Sequence, residues 1–151
     1  MMQFSKVLES SRVAVGIEAN DKAQALKEAA TLLCSGDDEL DFGRVLGAID
    51  ERERLASTGI GGGVAIPHAL LDGVKRTRMA VIRLARPVDF DARDGLPVDL
   101  VFMLAGSREG TSSHLRLLSK LARMLHNPEF RDAARATPNG QDLARLILDR
   151  T

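Results

Sequence analysis

The sequence predicts an α/β or α+β fold in which a central β-sheet is flanked by α-helices. Apolar residues recur at helical spacing towards both ends of the chain, whereas short apolar runs typical of strands cluster in its middle. The chain has 151 residues and 44% of them are hydrophobic, which is enough for one domain with a sizeable core and excludes global disorder. The sequence contains no internal repeat, low-complexity tract or linker, so a single domain over 1–151 is expected.

Two helices are predicted before the middle strands. Asp21 followed by Gln24 resembles a capping box, and apolar residues then recur at helical spacing, which indicates a helix over 21–34. The same spacing indicates a second amphipathic helix over 41–54. The acidic run at 37–39 is expected to be a solvated linker between the two helices.

Three strands are predicted in the middle of the chain. A short apolar strand over 64–66 follows a glycine-rich loop, and a second strand over 79–84 is expected to end before Pro87. A turn-rich connection over 90–95 leads to the third strand, 98–105. This last run is almost continuously apolar, which is typical of a strand that is covered on both faces.

The chain is expected to close with helices. Ser112 or Ser113 is predicted to cap a third helix, which stops at Asn127-Pro128. Shorter helices are predicted near 129–136 and 140–150. The order of the strands in the sheet does not follow from this pattern.

Composition weighs against several classes of function. The 21 basic and 21 acidic residues give a net charge of zero, whereas nucleic-acid-binding domains usually carry a basic excess. The chain has five Phe and no Trp or Tyr, so it lacks the aromatic surfaces on which bases or sugar rings stack. We therefore expect no nucleic-acid partner and no direct sugar contact.

The single cysteine and the hydropathy pattern indicate the compartment. Cys34 cannot form a disulfide within the chain or a cysteine zinc cluster, and a small core residue is the favoured interpretation for it. No apolar stretch has the length of a signal peptide core or a membrane span. A soluble, cytoplasmic protein without membrane insertion is expected.

The glycine-rich loop at 59–63 leads through an apolar stretch to Pro67 and His68. Val64 breaks the dinucleotide fingerprint, and no Gly-Lys-Ser/Thr follows, so nucleotide binding is not favoured. The glycines still suit close approach to an anion or to the backbone of another protein. For His68, nucleophilic or proton-transfer chemistry and a hydrogen-bonded structural role at a strand end remain equal alternatives.

The other two histidines have different positions. His114 is predicted at the first or second position of the third helix, where free N–H groups favour an anion. A partly exposed residue in a capping turn is the alternative. His126 is expected to complement the helix dipole at the C-terminal end of that helix.

An arginine and a carboxylate complete the set of candidate groups. Arg52 either belongs to a solvated, charge-alternating helix face or turns towards His68 to bind a phosphate. A metal site would need a carboxylate beside the two histidines, and the aspartates at 89, 91 and 94 are ordinary in a turn. We therefore expect no metal.

Two segments resemble one known family. Residues 52–68 read Arg-Glu-Arg-Leu-Ala-Ser-Thr-Gly-Ile-Gly-Gly-Gly-Val-Ala-Ile-Pro-His and resemble the active-site segment of fructose/mannitol-type enzyme IIA domains of the bacterial phosphotransferase system. The Ser-Thr-Gly-Ile-Gly stretch is most similar to the nitrogen-regulatory branch. The segment 97–104, followed by Ser-His-Leu at 113–115, is similar to the central strand and second active-site histidine of that family.

The resemblance implies a fold and a set of roles. The fold would be a single type-2 enzyme IIA domain over 1–151 with a mixed sheet flanked by helices. His68 would receive a phosphoryl group from a histidine phosphocarrier protein, with His114 beside it and Arg52 near the site. No cofactor or metal is implied. Ala69 departs from the pattern, because a glycine commonly follows the histidine.

Two functions follow from this resemblance. A regulatory protein would bind its target proteins according to the phosphorylation state of His68. A transport component would instead pass the phosphoryl group to a cysteine of a IIB domain. The nitrogen-regulatory likeness, and the expected lack of fused IIB or IIC segments, favour the regulator.

Overall fold

The structure is a computed structural model that describes residues 4–150, except for the side chains of Ser10 and Ser11. The outer limits of the predicted 1–151 domain lie outside these residues. The described part contains six strands and five α-helices. The strands are β1 Leu8–Ile17, β2 Gly59–Gly61, β3 Val64–Ala65, β4 His68–Leu71, β5 Arg78–Val88 and β6 Val98–Ser107. The helices are α1 Lys22–Cys34, α2 Phe42–Leu55, α3 Thr111–Leu125, α4 Pro128–Ala136 and α5 Gly140–Leu148.

All six strands form one mixed sheet, as the family resemblance implied. The strand order is β1-β5-β6-β3-β2, and β4 pairs with β6 beyond the end of β3. The β1–β5, β3–β6 and β4–β6 pairs are parallel, whereas β5–β6 and β2–β3 are antiparallel. Strand β6 therefore lies at the centre of the sheet and contacts three others.

Helices cover both faces of the sheet. Along β6, alternate side chains enter two separate apolar clusters, because successive residues of a strand point to opposite faces. Phe102 and Leu104 pack in the cluster that includes α3, α4 and α5, whereas Met103 and Ala105 pack in the cluster that includes α1 and α2. The α/β class and the prediction that this strand is covered on both faces are confirmed.

Strand β1 was missed in the sequence, where helices were expected to come first. Its N-terminal half is polar and its register with β5 shifts between Leu8 and Val13, which masks the alternation that marks a strand. Arg12 is 6% exposed in this irregular stretch. Its Nη2 atom donates to Asp37 at 2.8 Å. An acidic partner 25 residues away therefore compensates the buried charge, which a prediction from local sequence would not place inside a strand.

Strand β5 does not stop at Pro87, contrary to the prediction. It runs to Val88, which pairs with Val98 after a shift in register that begins at Arg83. Pro87 itself is exposed. Because a proline at such an irregular, solvent-facing position withdraws no ladder hydrogen bond, the strand can pass through it.

The two N-terminal helices match their predictions, but the segment between them does so only in part. The Asp21 side chain accepts from the Gln24 amide and Asp41 accepts from the Arg44 amide, so both helices have side-chain caps. Asp38 and Glu39 are exposed, as expected for a solvated linker, whereas the Asp37 carboxylate is buried between two arginines. Asp37 bonds Arg78 at 2.9 Å in addition to Arg12.

Candidate functional site

His68 is the first residue of β4 and faces the α3 side of the sheet. It pairs with Leu104 of β6, and the Leu104 amide donates to the carbonyl of the buried Pro67 at 2.9 Å. The sequence placed His68 behind a strand, whereas the structure starts a further short strand with it. Pairing on one side and the proline on the other hold its backbone in one position.

A single hydrogen bond determines which nitrogen of His68 is available. The Nδ1 atom lies 2.8 Å from the Ile66 carbonyl oxygen. Because a carbonyl only accepts, Nδ1 carries the proton of the neutral ring and Nε2 keeps its lone pair. Burial lowers the pKa of His68 below its usual 6.5, against the raising effect of this hydrogen bond, and the Arg52 charge lowers it further. The ring is therefore neutral at pH 7.

His114 lies beside His68, but its place in α3 differs from the prediction. It is the fourth residue of the helix, and the N-cap is Gly110 rather than a serine. The prediction was wrong because a 3₁₀ turn at Arg108–Gly110 runs directly into the helix and starts it earlier. His114 is only 3% exposed, and its ring centroid lies 5.6 Å from that of His68.

Neither ring nitrogen of His114 has a hydrogen-bond partner among the described residues. Burial, together with the neighbouring His68, lowers the pKa of His114 to about 4, so the ring is neutral at pH 7. A neutral imidazole has one N–H donor, and a buried donor without a partner is costly. His114 thus has an unused donor in a ring whose centroid lies 5.6 Å from that of His68.

Gly106 near the end of β6 makes room for this ring. A Cβ atom built on Gly106 would lie 2.6 Å from Nδ1 of His114 and 3.2 Å from Cδ2 of Leu70. Such a contact is not tolerated, so only glycine at this position allows the two histidines to lie together. The close packing of His114 against bare backbone is invisible in the sequence.

A groove of about 350 Å³ opens from His68 between α3 and the β2 edge. Arg52, near the end of α2, lines it together with His68, and its Nη1 atom donates to the Ala56 carbonyl at 3.0 Å. Arg93 also lines the groove, although the sequence did not single it out. The signal was weak, because Arg93 lies in an irregular loop and reaches the groove only through the fold. His126 caps the C-terminal end of α3, as expected, and lies at the groove as well.

Glu53 organises the backbone that forms one side of the groove. It is 9% exposed and accepts hydrogen bonds from both the amide and the hydroxyl of Thr58. Lys22 of α1 pairs with it at 2.8 Å. The alternating charges around it predicted either a solvated helix face or an arginine turned inwards. Of the charges at 51–54, it is the glutamate at 53 that is buried.

The glycine-rich loop is itself a β-hairpin, made of β2 and β3. Gly61, Gly62 and Gly63 all have φ between +67° and +98°, a region that side chains disfavour. Gly59 packs so closely on Ala92 that a Cβ would lie 2.8 Å from its methyl group. The hairpin presents Gly59 and Ile60 to the groove and so forms a wall of the site, whereas the glycines at 61–63 do not line the groove.

The aspartates near the groove have structural partners. Asp94 accepts from the amides of Gly62 and Leu96, and Asp89 accepts from the amide of Asp91. Within residues 4–150, no three His, Cys, Asp or Glu side chains come together as metal ligands would.

The family model of the phosphoenolpyruvate-dependent sugar phosphotransferase system, EIIA 2, matches residues 6–150. The chain belongs to this family. This EIIA chain is 37% identical over 149 residues to the nitrogen regulatory protein of Pseudomonas aeruginosa, covering 99% of this chain and 97% of that protein.

Two further relatives, one nitrogen-regulatory and one fructose-specific, are also similar to this chain. The crystal structure of nitrogen regulatory protein IIA-Ntr from Neisseria meningitidis superposes with a TM-score of 0.87 at 33% identity, covering 95% of this EIIA chain and 98% of that one. The fructose-specific EIIABC component of Bacillus subtilis is 35% identical over 130 residues, which are 86% of this chain and 20% of that protein. None of the helices within residues 4–150 is long and apolar enough to cross a bilayer.

Proposed function

We propose that this EIIA chain accepts a phosphoryl group on Nε2 of His68 from the phosphohistidine of a small phosphocarrier protein, and that it serves mainly as a phosphorylation-dependent regulator. The observation that carries the proposal is the hydrogen bond from Nδ1 of His68 to the Ile66 carbonyl. It leaves Nε2 as the nucleophile on the side of the ring away from the backbone. A lowered pKa keeps that nitrogen unprotonated at pH 7.

The transfer step balances without a proton. The lone pair of Nε2 attacks phosphorus, the new P–N bond forms, and the P–N bond to the donor imidazole breaks. The donor imidazole carries a proton on its other ring nitrogen, so it leaves with the electron pair of the broken bond as a neutral imidazole. The positive charge passes to the His68 ring, which keeps its Nδ1 proton on the Ile66 carbonyl. Such a step needs in-line approach and stabilisation of charge on the equatorial oxygens, and little covalent machinery.

Three side chains at the site can stabilise the charge on the equatorial oxygens. His114 has an N–H donor without a partner among residues 4–150, in a ring 5.6 Å from that of His68, so a phosphoryl oxygen on His68 would supply the missing acceptor. Arg52 and Arg93 line the same groove and bring positive charge to an incoming dianion. No step in this scheme uses a metal or cofactor.

The nitrogen-related role is supported by overall likeness. The match to nitrogen regulatory relatives extends over nearly the full length of both chains. Phosphorylation adds about −1.5 to −2 charge at a solvent-facing groove of a neutral protein, which is a large change for any partner that docks there. In the alternative, suggested by the fructose-specific relative, a cysteine thiolate of a IIB domain attacks phosphorus and the electron pair returns to Nε2.

Labelling tests the proposed acceptor. The protein is incubated with phosphoenolpyruvate and the two general phosphotransferase proteins, and the modified residue is located by mass spectrometry at alkaline pH. His68 should carry the label, and His68→Ala should carry none. Labelling of His68→Ala at the wild-type rate would refute the assignment.

Onward transfer separates the two functions. Purified phosphorylated protein is mixed with candidate IIB domains and the label is followed over time. A regulator should keep its label under these conditions, whereas rapid loss to a IIB cysteine would favour the transport role.

A further inference from the structure

The three consecutive glycines of the β2–β3 hairpin are held by side chains from outside it. The carbonyl of Gly62 accepts from Nη2 of Arg135 on α4 at 2.7 Å. On the opposite side of the same residue, the Gly62 amide donates to Asp94 at 2.9 Å. Both backbone groups of one residue at the tip of the hairpin are therefore fixed by charged side chains.

Arg135 is itself oriented by Asp99 of β6. Its Nε atom lies 3.1 and 3.0 Å from the two carboxylate oxygens, and its Nη2 atom lies 2.9 Å from Oδ1. The planar guanidinium makes these bonds while it also reaches the Gly62 carbonyl, an arrangement that a lysine cannot reproduce. The two side chains are 32% and 20% exposed, so solvent screens the pair only in part.

The glycines are required by this contact as well as by their backbone angles. A Cβ on Gly63 would lie 2.5 Å from Nη2 of Arg135, and a Cβ on Gly62 would lie 2.8 Å from Cζ of Arg131. The Arg131 guanidinium is fixed in turn, because its Nη1 atom donates to the Leu125 carbonyl at 2.9 Å. Two arginines of α4 thus pack directly on bare backbone.

We infer that Arg135, held by Asp99 and opposed by Asp94, is a positioning residue for docking of the phosphoryl donor. The hairpin that it holds carries Gly59 and Ile60 into the groove of His68. Arg135 acts on that wall and not on the reacting atoms. Its loss therefore weakens productive docking and leaves the chemistry at His68 and His114 unchanged. This inference rests on the proposed function of His68.

Two variants test the inference from opposite sides of Gly62. Arg135→Lys keeps the positive charge but loses the planar guanidinium that bonds Asp99 and Gly62 together. Asp94→Ala removes the carboxylate, on an exposed loop, that accepts from the Gly62 amide. In both, amide hydrogen exchange at 61–63 should accelerate. The KM for the phosphorylated carrier protein should rise about tenfold in Arg135→Lys, as expected for loss of roughly one charge-assisted hydrogen bond, and should rise in the same direction in Asp94→Ala. In both variants kcat should stay at the wild-type value.

Arg78→Lys is the matched control. Arg78 also forms a fork with an aspartate, Asp37, but it lies on β5 opposite Ala105, whose side chain enters the cluster on the other face of the sheet. This variant should lose stability and keep both KM and the exchange rates at 61–63. Equal KM values in both test variants and wild type, a fall in kcat without a rise in KM, or a matching rise in the control would each overturn the inference. A wild-type protein that takes no label would instead overturn the proposed function, and this inference with it.

Discussion

The imidazole rings of His68 and His114 lie with their centroids 5.6 Å apart and their planes tilted by 50°. One ring has its Nδ1 atom bonded to backbone, while the other has no partner at either nitrogen among residues 4–150. The pair therefore combines a free lone pair with an unused donor. Both rings are neutral at pH 7, because burial lowers both pKa values.

Phosphorylation of His68 should raise the pKa of His114. In the free protein this pKa is about 4, with burial as the main cause. A phosphoryl dianion on His68, whose ring lies 5.6 Å from that of His114, favours the imidazolium form of His114 and offers it a hydrogen-bond acceptor. Nitrogen-detected NMR titration of ¹⁵N-histidine-labelled protein, with and without the phosphoryl group, measures the shift, and His114→Gln assigns the signal. An unchanged His114 titration would remove this residue from phosphoryl binding.

The rate of phosphoryl uptake should be constant above neutral pH and fall on acidification. In the proposed step, His68 can attack only when Nε2 is unprotonated, and the pKa of His68 lies below 6.5 in the folded protein. The activity therefore falls as pH drops through the lowered pKa of His68, at a lower pH than for an ordinary histidine. Single-turnover transfer from a prephosphorylated carrier, with the titration of the carrier measured separately, checks this. A midpoint above 6.5 would contradict it.

Gly106→Ala should slow transfer by displacing His114. The added Cβ would lie 2.6 Å from Nδ1 of His114, so the ring must leave its position beside His68. We expect a loss of about 10²-fold in single-turnover rate, similar to removal of one donor from a charge-stabilising site. Gly110→Ala is the matched control, because the Cβ atom added at Gly110 would lie 3.8 Å from Cβ of Ser107, an ordinary van der Waals contact. Comparable rates for the two variants would argue against a role for the placement of His114.

Glu53→Gln should destabilise the protein by about 2 kcal/mol, as expected when a buried charged hydrogen bond and its ion pair are lost. The carboxylate accepts from the amide and hydroxyl of Thr58 and pairs with Lys22, and a neutral amide weakens all three interactions. Glu51→Gln is the control on the same helix, because Glu51 is exposed and its loss should change stability by less than about 0.5 kcal/mol. Urea unfolding monitored by circular dichroism measures both. Equal midpoints would refute the structural role of Glu53.

Local patterns predicted much of the fold. The cap at Asp21 and the helical spacing in both N-terminal helices depend only on neighbouring residues, and both helices start within one residue of their predicted positions. The apolar run of β6 was recognised because a strand buried on both faces needs no alternation. Strand β1 was missed because its buried Arg12 is stabilised by Asp37, a contact between distant parts of the chain.

The residues of the candidate site likewise divide into those that local patterns predicted and those that depend on contacts between distant segments. His68 and His114 stood out in the sequence by their motifs and through the resemblance to the enzyme IIA family. Glu53 and Arg93 did not stand out. The sequence of a charged or irregular segment does not distinguish a charged side chain that is buried or lines a site from one that is merely solvated. Arg135 gave no signal, since its contact with Gly62 joins residues 73 positions apart.

The sequence by itself determined the fold class, the family resemblance and the two histidines. Each of these depends on residue types at short spacing, which local chemistry and recurring motifs make readable. Only the tertiary structure decided which nitrogen of His68 is free, that His114 lacks a partner within the described part of the chain, and that Gly106 admits its ring. It also decided that the glycine triplet is held by α4 and does not line the groove. These properties depend on packing between distant segments, because hydrogen-bond partners, burial and steric room exist only after the chain has folded.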